Sequence, residues 1–365
     1  MPVCARTHLS YNFSNALKGY SMASTIDEQI QAYKARLKGA MTDVEALLGL
    51  GNAYLYLRRF DEAGAVIRRA RSLEPDTERT ALALAAWLIN TGGADQALAL
   101  LEPLNNSSSL QLMARLHTEA GRTRQALAAL QKAADLEPDN PEIFYELGNL
   151  CDDCDDPDAA RAAYQKTLAL DPDHAPAWNA LGLLHADDEN IDEAIAAFRK
   201  ALSIDPTYPN AHVNLAMAYL DHGEYPVADA EEEFNRALEF DADNEDAYIG
   251  LGTILFEDRK YSRALKFFEQ AVKADPESPE AHFRLGNAFW ALGDKREAAS
   301  AWRRAGALDP GFADPHYSLA QALADRGDAL EACAHLRIAL DLDPEADWAE
   351  DAQQQLDSLS RDWPL

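Results

Sequence analysis

Apolar residues along this chain recur in paired helical stripes. Between Ala175 and Ala201, Trp178, Leu181, Gly182 and His185 share one helical face, and Ile191, Ala194, Phe198 and Ala201 form a second stripe after a polar break. Each pair of stripes predicts an antiparallel helix hairpin. Turn chemistry separates the helices, with Gly121, Gly223, Gly293 and Gly327 after first helices and Asp-Pro after second ones. The closing prolines Pro138, Pro172 and Pro206, and again Pro276, Pro310 and Pro344, stand 34 residues apart within each trio. A fixed period of that length is the signature of a helical repeat array.

Placing those prolines at position 32 gives a register of nine units over residues 44–346, divided as 44–77, 78–106, 107–140, 141–174, 175–208, 209–244, 245–278, 279–312 and 313–346. Position 7 is large (Leu50, Leu84, Met113, Leu147, Leu181, Leu215, Leu251, Leu285, Leu319), and position 8 is always Gly or Ala. Position 20 is alanine throughout: Ala63, Ala97, Ala126, Ala160, Ala194, Ala230, Ala264, Ala298 and Ala332. Tyr164, Phe198, Phe234, Phe268 and Trp302 fill position 24. Small residues admit close helix approach where the large ones interlock.

This pattern resembles the tetratricopeptide repeat family across most of the chain. The resemblance implies an all-α fold, a right-handed α-α superhelix (solenoid) of nine helix pairs with N- and C-terminal helical caps, whose first helices line a concave groove. It also implies a test for one known groove type, the clamp for acidic chaperone tails, which uses Lys at position 5 and Asn at positions 9 and 6. Position 5 has no lysine here. Asn52, Asn149 and Asn287 stand at position 9 and only Asn214 at position 6, so neither that clamp nor an asparagine ladder is expected.

Two units depart from the period. The second is short and ends in Leu104-Asn105-Asn106-Ser107-Ser108-Ser109 without a proline, where a change of pitch is expected; the sixth carries two extra residues within 223–234, read as a local bulge or a contact loop. Residues 24–43 are expected to cap the array, with Thr25 and Glu28 as a capping box and Ile26, Ile30, Tyr33 and Leu37 as an apolar stripe. Trp348, Ala352, Leu356 and Leu359 make another stripe within the capping helix and tail 347–365. Residues 1–23 read as a flexible leader, with Met22 an alternative start.

A chain of 365 residues and 47% hydrophobic content exceeds a single core, a limit that a repeat array escapes by packing only neighbours. The formal charge of −29 disfavours nucleic acid and anionic membrane surfaces and favours a basic partner. Cys4, Cys151, Cys154 and Cys333 are too scattered for a disulfide framework. With no spanning apolar run and no secretory h-region, a cytoplasmic location is expected, and the Asn-x-Ser matches at Asn12, Asn105 and Asn106 carry little weight.

Candidate chemistry is sparse. Cys151-Asp152-Asp153-Cys154 reads as half a zinc or redox site, or as structural thiols, Cys151 being at core position 11. The run Asp241-Ala242-Asp243-Asn244-Glu245-Asp246 begins like a calcium loop but lacks its glycine and its closing glutamate, so a solvated turn is the competing reading. No catalytic grouping, phosphate loop or metal motif is present, and no enzyme activity, cofactor or metal is expected.

Positions 2, 5, 9, 12 and 13 project opposite the core stripe. Position 13 is acidic at Glu119, Asp153, Asp187, Asp221, Glu257 and Asp325, which is either a solvated face or a ladder for basic groups. Apolar residues interrupt that face: Tyr145, Phe283 and Tyr317 at position 5, Leu183 and Met217 at position 9, Leu220, Phe256 and Trp290 at position 12. They are either partner anchors or packing between repeats. The expected partner-binding set is therefore Tyr145, Asp153, Asp187, Met217, Asp221, Phe256, Glu257, Phe283, Trp290, Tyr317 and Asp325. A non-enzymatic adaptor holding a basic, apolar protein segment is the expected function. The alternatives are a self-assembling repeat protein, with weak self-association, and an accessory subunit presenting substrates to a separate enzyme.

Overall fold

A computed structural model describes residues 26–362, with twenty helices and no strand among them. The leader, Cys4, Asn12 and the Thr25 half of the capping box lie outside the described residues. The chain divides into two compact units, one ending at Pro172 and the other beginning at Asp173. In the first, α1 (Ile26–Gly39) precedes four helix pairs: α2 (Val44–Tyr56) with α3 (Phe60–Leu73), α4 (Glu78–Asn90) with α5 (Ala94–Leu101), α6 (Ser107–Glu119) with α7 (Thr123–Leu136), and α8 (Pro141–Asp152) with α9 (Pro157–Leu170). In the second, five pairs precede α20 (Ala349–Asp362): α10 (Ala175–Asp187) with α11 (Ile191–Ile204), α12 (Pro209–His222) with α13 (Val227–Phe240), α14 (Glu245–Glu257) with α15 (Tyr261–Ala274), α16 (Pro279–Leu292) with α17 (Lys295–Leu308), and α18 (Ala313–Arg326) with α19 (Ala329–Leu342). The fold is an all-α solenoid of helix pairs flanked by α1 and α20.

Local chemistry sets the helix ends. Side chains of Asp43, Asn106, Asn140, Asp156, Asn244 and Ser278 accept from backbone N–H groups in the first turns of α2, α6, α8, α9, α14 and α16. Every first helix ends with position 15 in the left-handed region: Gly92, Gly121, Gly223, Gly293 and Gly327, but also Arg58, Asp155, Glu189 and Arg259. The following N–H then reaches back five residues, as from Asn190 to the His185 carbonyl at 2.8 Å, closing the helix end.

The sixth repeat breaks that closure. Its two extra residues lead the chain through Glu224, Tyr225 and Pro226, and Tyr225 folds back to stack on Tyr219 at 4.4 Å. The Arg199 guanidinium lies over both rings, at 5.4 and 5.5 Å, and its Nε donates to the Tyr219 hydroxyl. The insertion is thus pinned to α11. In the second repeat the departure is a shortened helix, α5 having eight residues where every other second helix has 14, with Pro103 just beyond it.

All nine position-20 alanines are fully buried, as are the rings of Tyr164, Phe198, Phe234 and Phe268. Position 4 adds a polar clasp between repeats in the second unit. His212 Nε2 and His282 Nε2 stand 3.1 Å from the carbonyls of Pro206 and Pro276, and the Tyr248 hydroxyl donates to the Ala242 carbonyl at 3.0 Å. No helix among the described residues is long and apolar enough to cross a membrane.

Candidate functional site

In the second unit α10 and α12 lie side by side, joined by Asn214 Nδ2 donating to Asn179 Oδ1 at 2.9 Å. Positions 9 and 13 are four residues apart and therefore share a helix face. On that face Leu183 and Met217 are 41% and 46% exposed, and Asp187 and Asp221 are exposed one turn beyond them. Next along the unit, α14 presents Thr253 and the exposed Glu257 at the same two positions. The result is a strip of accessible apolar surface edged by three carboxylates.

The aromatic members of the expected set are half-buried and engaged with neighbouring side chains. Phe256 stands 5.0 Å from Tyr261, Phe283 meets Phe312 edge-on at 5.2 Å, and Trp290 lies 5.6 Å from Trp302 with Lys295 over its face. Tyr317 is stacked beneath Trp348 at 4.7 Å, and Trp348 Nε1 donates to Asp314 Oδ1. Asp325 is ion-paired with Lys295 at 2.6 Å. Packing within the unit therefore engages most of the aromatic residues, and Met217 with Leu183 forms the accessible apolar part.

Tyr145 and Asp153 belong to the first unit. The Tyr145 ring is half-buried 5.9 Å from Tyr164, while Asp153 caps the end of α8 and is exposed. Beside them, burial pushes the Glu146 carboxyl above the usual carboxylate range despite Arg115 at 3.7 Å. In the second unit burial pushes Glu245 up to about 7, a Ser278 hydrogen bond opposing and the charges of Asp246, Asp275 and Glu280 reinforcing it.

The other candidate motifs are absorbed locally. Cys151 is half-buried and Cys154 exposed, and both thiols are pushed up by burial and by nearby aspartates, which disfavours the thiolate that metals and oxidants need. No group of three or more metal-ligating residues occurs among the described residues. Asp241 accepts from the Asp243 N–H and Asn244 caps α14; Asp205, Asp275, Asp309 and Asp343 make the same turn at the ends of other repeats.

Two relationships escaped sequence reasoning. Asn149 and Asn287 at position 9 accept from the Tyr164 hydroxyl and from Trp302 Nε1, at 2.8 and 2.9 Å. They are partners of the polar aromatics at position 24, a pairing visible in the sequence only once those two positions are known to face each other. The position-4 clasp had a similar trace: a histidine six residues after the position-32 proline, at Pro206/His212 and Pro276/His282.

Residues 161–278 match the family described as the cytochrome c-type biogenesis protein H TPR domain. Residues 117–184 and 255–322 match one tetratricopeptide repeat family, and residues 44–77 match another. No curated protein matches the chain. The crystal structure of the APC/C hetero-tetramer Cut9-Hcn1 is similar over 86% of this chain and 76% of that one, with a TM-score of 0.56 and 16% identity. At that identity the likeness is one of fold.

Proposed function

This chain belongs to the tetratricopeptide repeat family, an interaction module, and from that premise we propose that it is a non-enzymatic adaptor whose first-helix face in repeats five to seven holds a protein segment carrying apolar and basic residues. The observation that carries this reading is the alternation of Leu183 and Met217 with Asp187, Asp221 and Glu257 on adjacent helices. Accessible apolar side chains supply affinity, methionine adapting its shape to different partners. The carboxylates steer a basic segment and set its register. Cytoplasmic residence is part of the proposal, consistent with the free thiols of Cys151, Cys154 and Cys333.

The test is selection from a displayed peptide library on the immobilised full chain. Enriched peptides should combine Lys or Arg with Leu, Met or Phe, and should associate more slowly as salt rises from about 50 to about 300 mM, where charges are screened within a few ångströms. Leu183→Glu with Met217→Glu should weaken them at least ~10-fold. Binding unchanged in that variant overturns the reading.

A second reading, presentation of substrates to a separate enzyme, draws on the match of residues 161–278 to a biogenesis protein's TPR domain. Saturable binding of haem-free cytochrome c polypeptide to the immobilised full chain would support it. Self-assembly through stacked ends finds less support, since Glu350, Asp351, Gln353, Gln354 and Asp357 leave the exposed face of α20 polar.

A further inference from the structure

The exposed face of α19 differs from that of every other second helix. Position 18 reads Asp61, Asp95, Arg124, Asp158, Asp192, Ala228, Ser262 and Arg296 in the first eight repeats and Leu330 in the ninth. Position 26 reads Arg69, Pro103, Lys132, Lys166, Lys200, Arg236, Gln270 and Arg304, then Ile338. In the structure Leu330 is 62% exposed, and Ile338 and Leu342 are each 40% exposed, with the exposed Ala334 between them. These four residues, each four apart, form one continuous ridge, and the alanine makes a notch in its middle.

We propose that this ridge is a docking site for an amphipathic helix of another protein, one whose apolar side chains recur at helical spacing and whose edge is acidic. A ridge of i, i+4 side chains fits the groove between the corresponding ridges of a second helix, and a small central residue lets the axes approach. The acidic edge follows from local charge. Arg303 of α17 reaches Glu331 of α19 at 3.6 Å, which places α17 alongside the ridge, and Arg296 and Arg304 on α17 are exposed without ion pairs among the described residues. With Arg337 on α19 they outnumber Glu297 and Asp341, the exposed acids of these two helices without ion pairs among the described residues, in a protein whose formal charge is −29.

A second copy of this chain is a poor occupant. Stable protein pairs bury ~800 Å² per partner, far more than three partly exposed aliphatic side chains offer. Two copies would also bring strong like charge together. A short helix with an acidic edge needs only the ridge and the arginines.

The probe is a dye-labelled amphipathic peptide of the same 14-residue length as α19, with leucines along one face and glutamates along one edge, titrated into the full chain and followed by fluorescence anisotropy. Its counterpart carries lysines along that edge. The glutamate peptide should bind the wild type, and binding should weaken at least ~10-fold with the lysine edge, in Leu330→Glu with Ile338→Glu, and in Arg296→Glu with Arg304→Glu. Because all four residues are exposed, unchanged thermal unfolding of both variants separates lost binding from lost fold. Leu183→Glu with Met217→Glu should leave this peptide's binding intact, so this surface and the first-helix face succeed or fail independently. Equal binding of both peptides, binding insensitive to both ridge and arginine variants, or a wild-type dimer in sedimentation that the ridge variant makes monomeric would each overturn the proposal.

Discussion

The Phe198 ring fills the space where a β-carbon on Gly182 would stand, its Cε1 atom lying 2.4 Å from that point. The same relation joins Gly148 to Tyr164, Gly252 to Phe268 and Gly286 to Trp302. Where position 8 is alanine, position 24 is leucine in three repeats: Ala85 with Leu101, Ala114 with Leu130, and Ala320 with Leu336. The sixth repeat, with Ala216, instead turns its Phe234 ring onto Gly250 of the next repeat. Gly182→Ala should therefore destabilise the protein, because overpacking of about 1–3 kcal/mol outweighs alanine's helix advantage of roughly 1 kcal/mol. Adding Phe198→Leu should recover stability relative to the sum of the single effects by at least ~1 kcal/mol, read from urea unfolding of the four-member cycle. Additive effects would refute the pairing.

Glu189 occupies the left-handed turn position at φ 61°, where five other repeats have glycine. A side chain there costs about 1–2 kcal/mol, partly offset in glycine by greater freedom of the unfolded chain. Glu189→Gly should raise stability by roughly 0.5–1 kcal/mol, and Gly223→Ala should lower it by a similar amount. Thermal unfolding checks both signs.

The stability that two protonated side chains contribute should be lost as pH rises. His212 is buried with Glu233 Oε2 2.6 Å from Nδ1 and the Pro206 carbonyl 3.1 Å from Nε2, so acceptors face both ring nitrogens. Burial and Arg236 disfavour the imidazolium, but those two bonds and the Glu233 charge outweigh them and its pKa is raised. A raised folded pKa means stability that is fully present below about 6.5 and is lost as pH passes through the folded value. Glu245, raised from 4.5 to about 7, acts in the same direction at lower pH. Urea unfolding should show His212→Gln flattening the decline above about 6.5 and Glu245→Gln the decline between its two pKa values; a profile unchanged by either variant would contradict the assignment.

Tyr225 holds the two-residue insertion against Arg199 and Tyr219. Tyr225→Ala should lower stability by about 0.5–1.5 kcal/mol from the lost stack alone, and should expose the segment around Gly223 to limited proteolysis. Resistance equal to wild type would mean that the insertion holds its place without that ring.

The sequence by itself determined the helix pairs, their period and their close-packed positions, because these depend on the size and backbone preference of residues at fixed spacing. Val44, Glu78 and Pro141 could be read as the first residues of repeats from that spacing, and they begin α2, α4 and α8. Left-handed turns were legible where glycine marked them and hidden at Arg58, Asp155, Glu189 and Arg259, since there the closing hydrogen bonds impose a conformation that the residue itself disfavours. The candidate site was legible only as a set of angles on a helix. Those angles treat Tyr317 and Met217 alike as residues turned away from the core, yet Trp348 covers Tyr317 while Met217 stays exposed. What lies opposite a helix face depends on side chains supplied from 31 residues further along, as Trp348 is from Tyr317, and tertiary packing alone brings those two rings together.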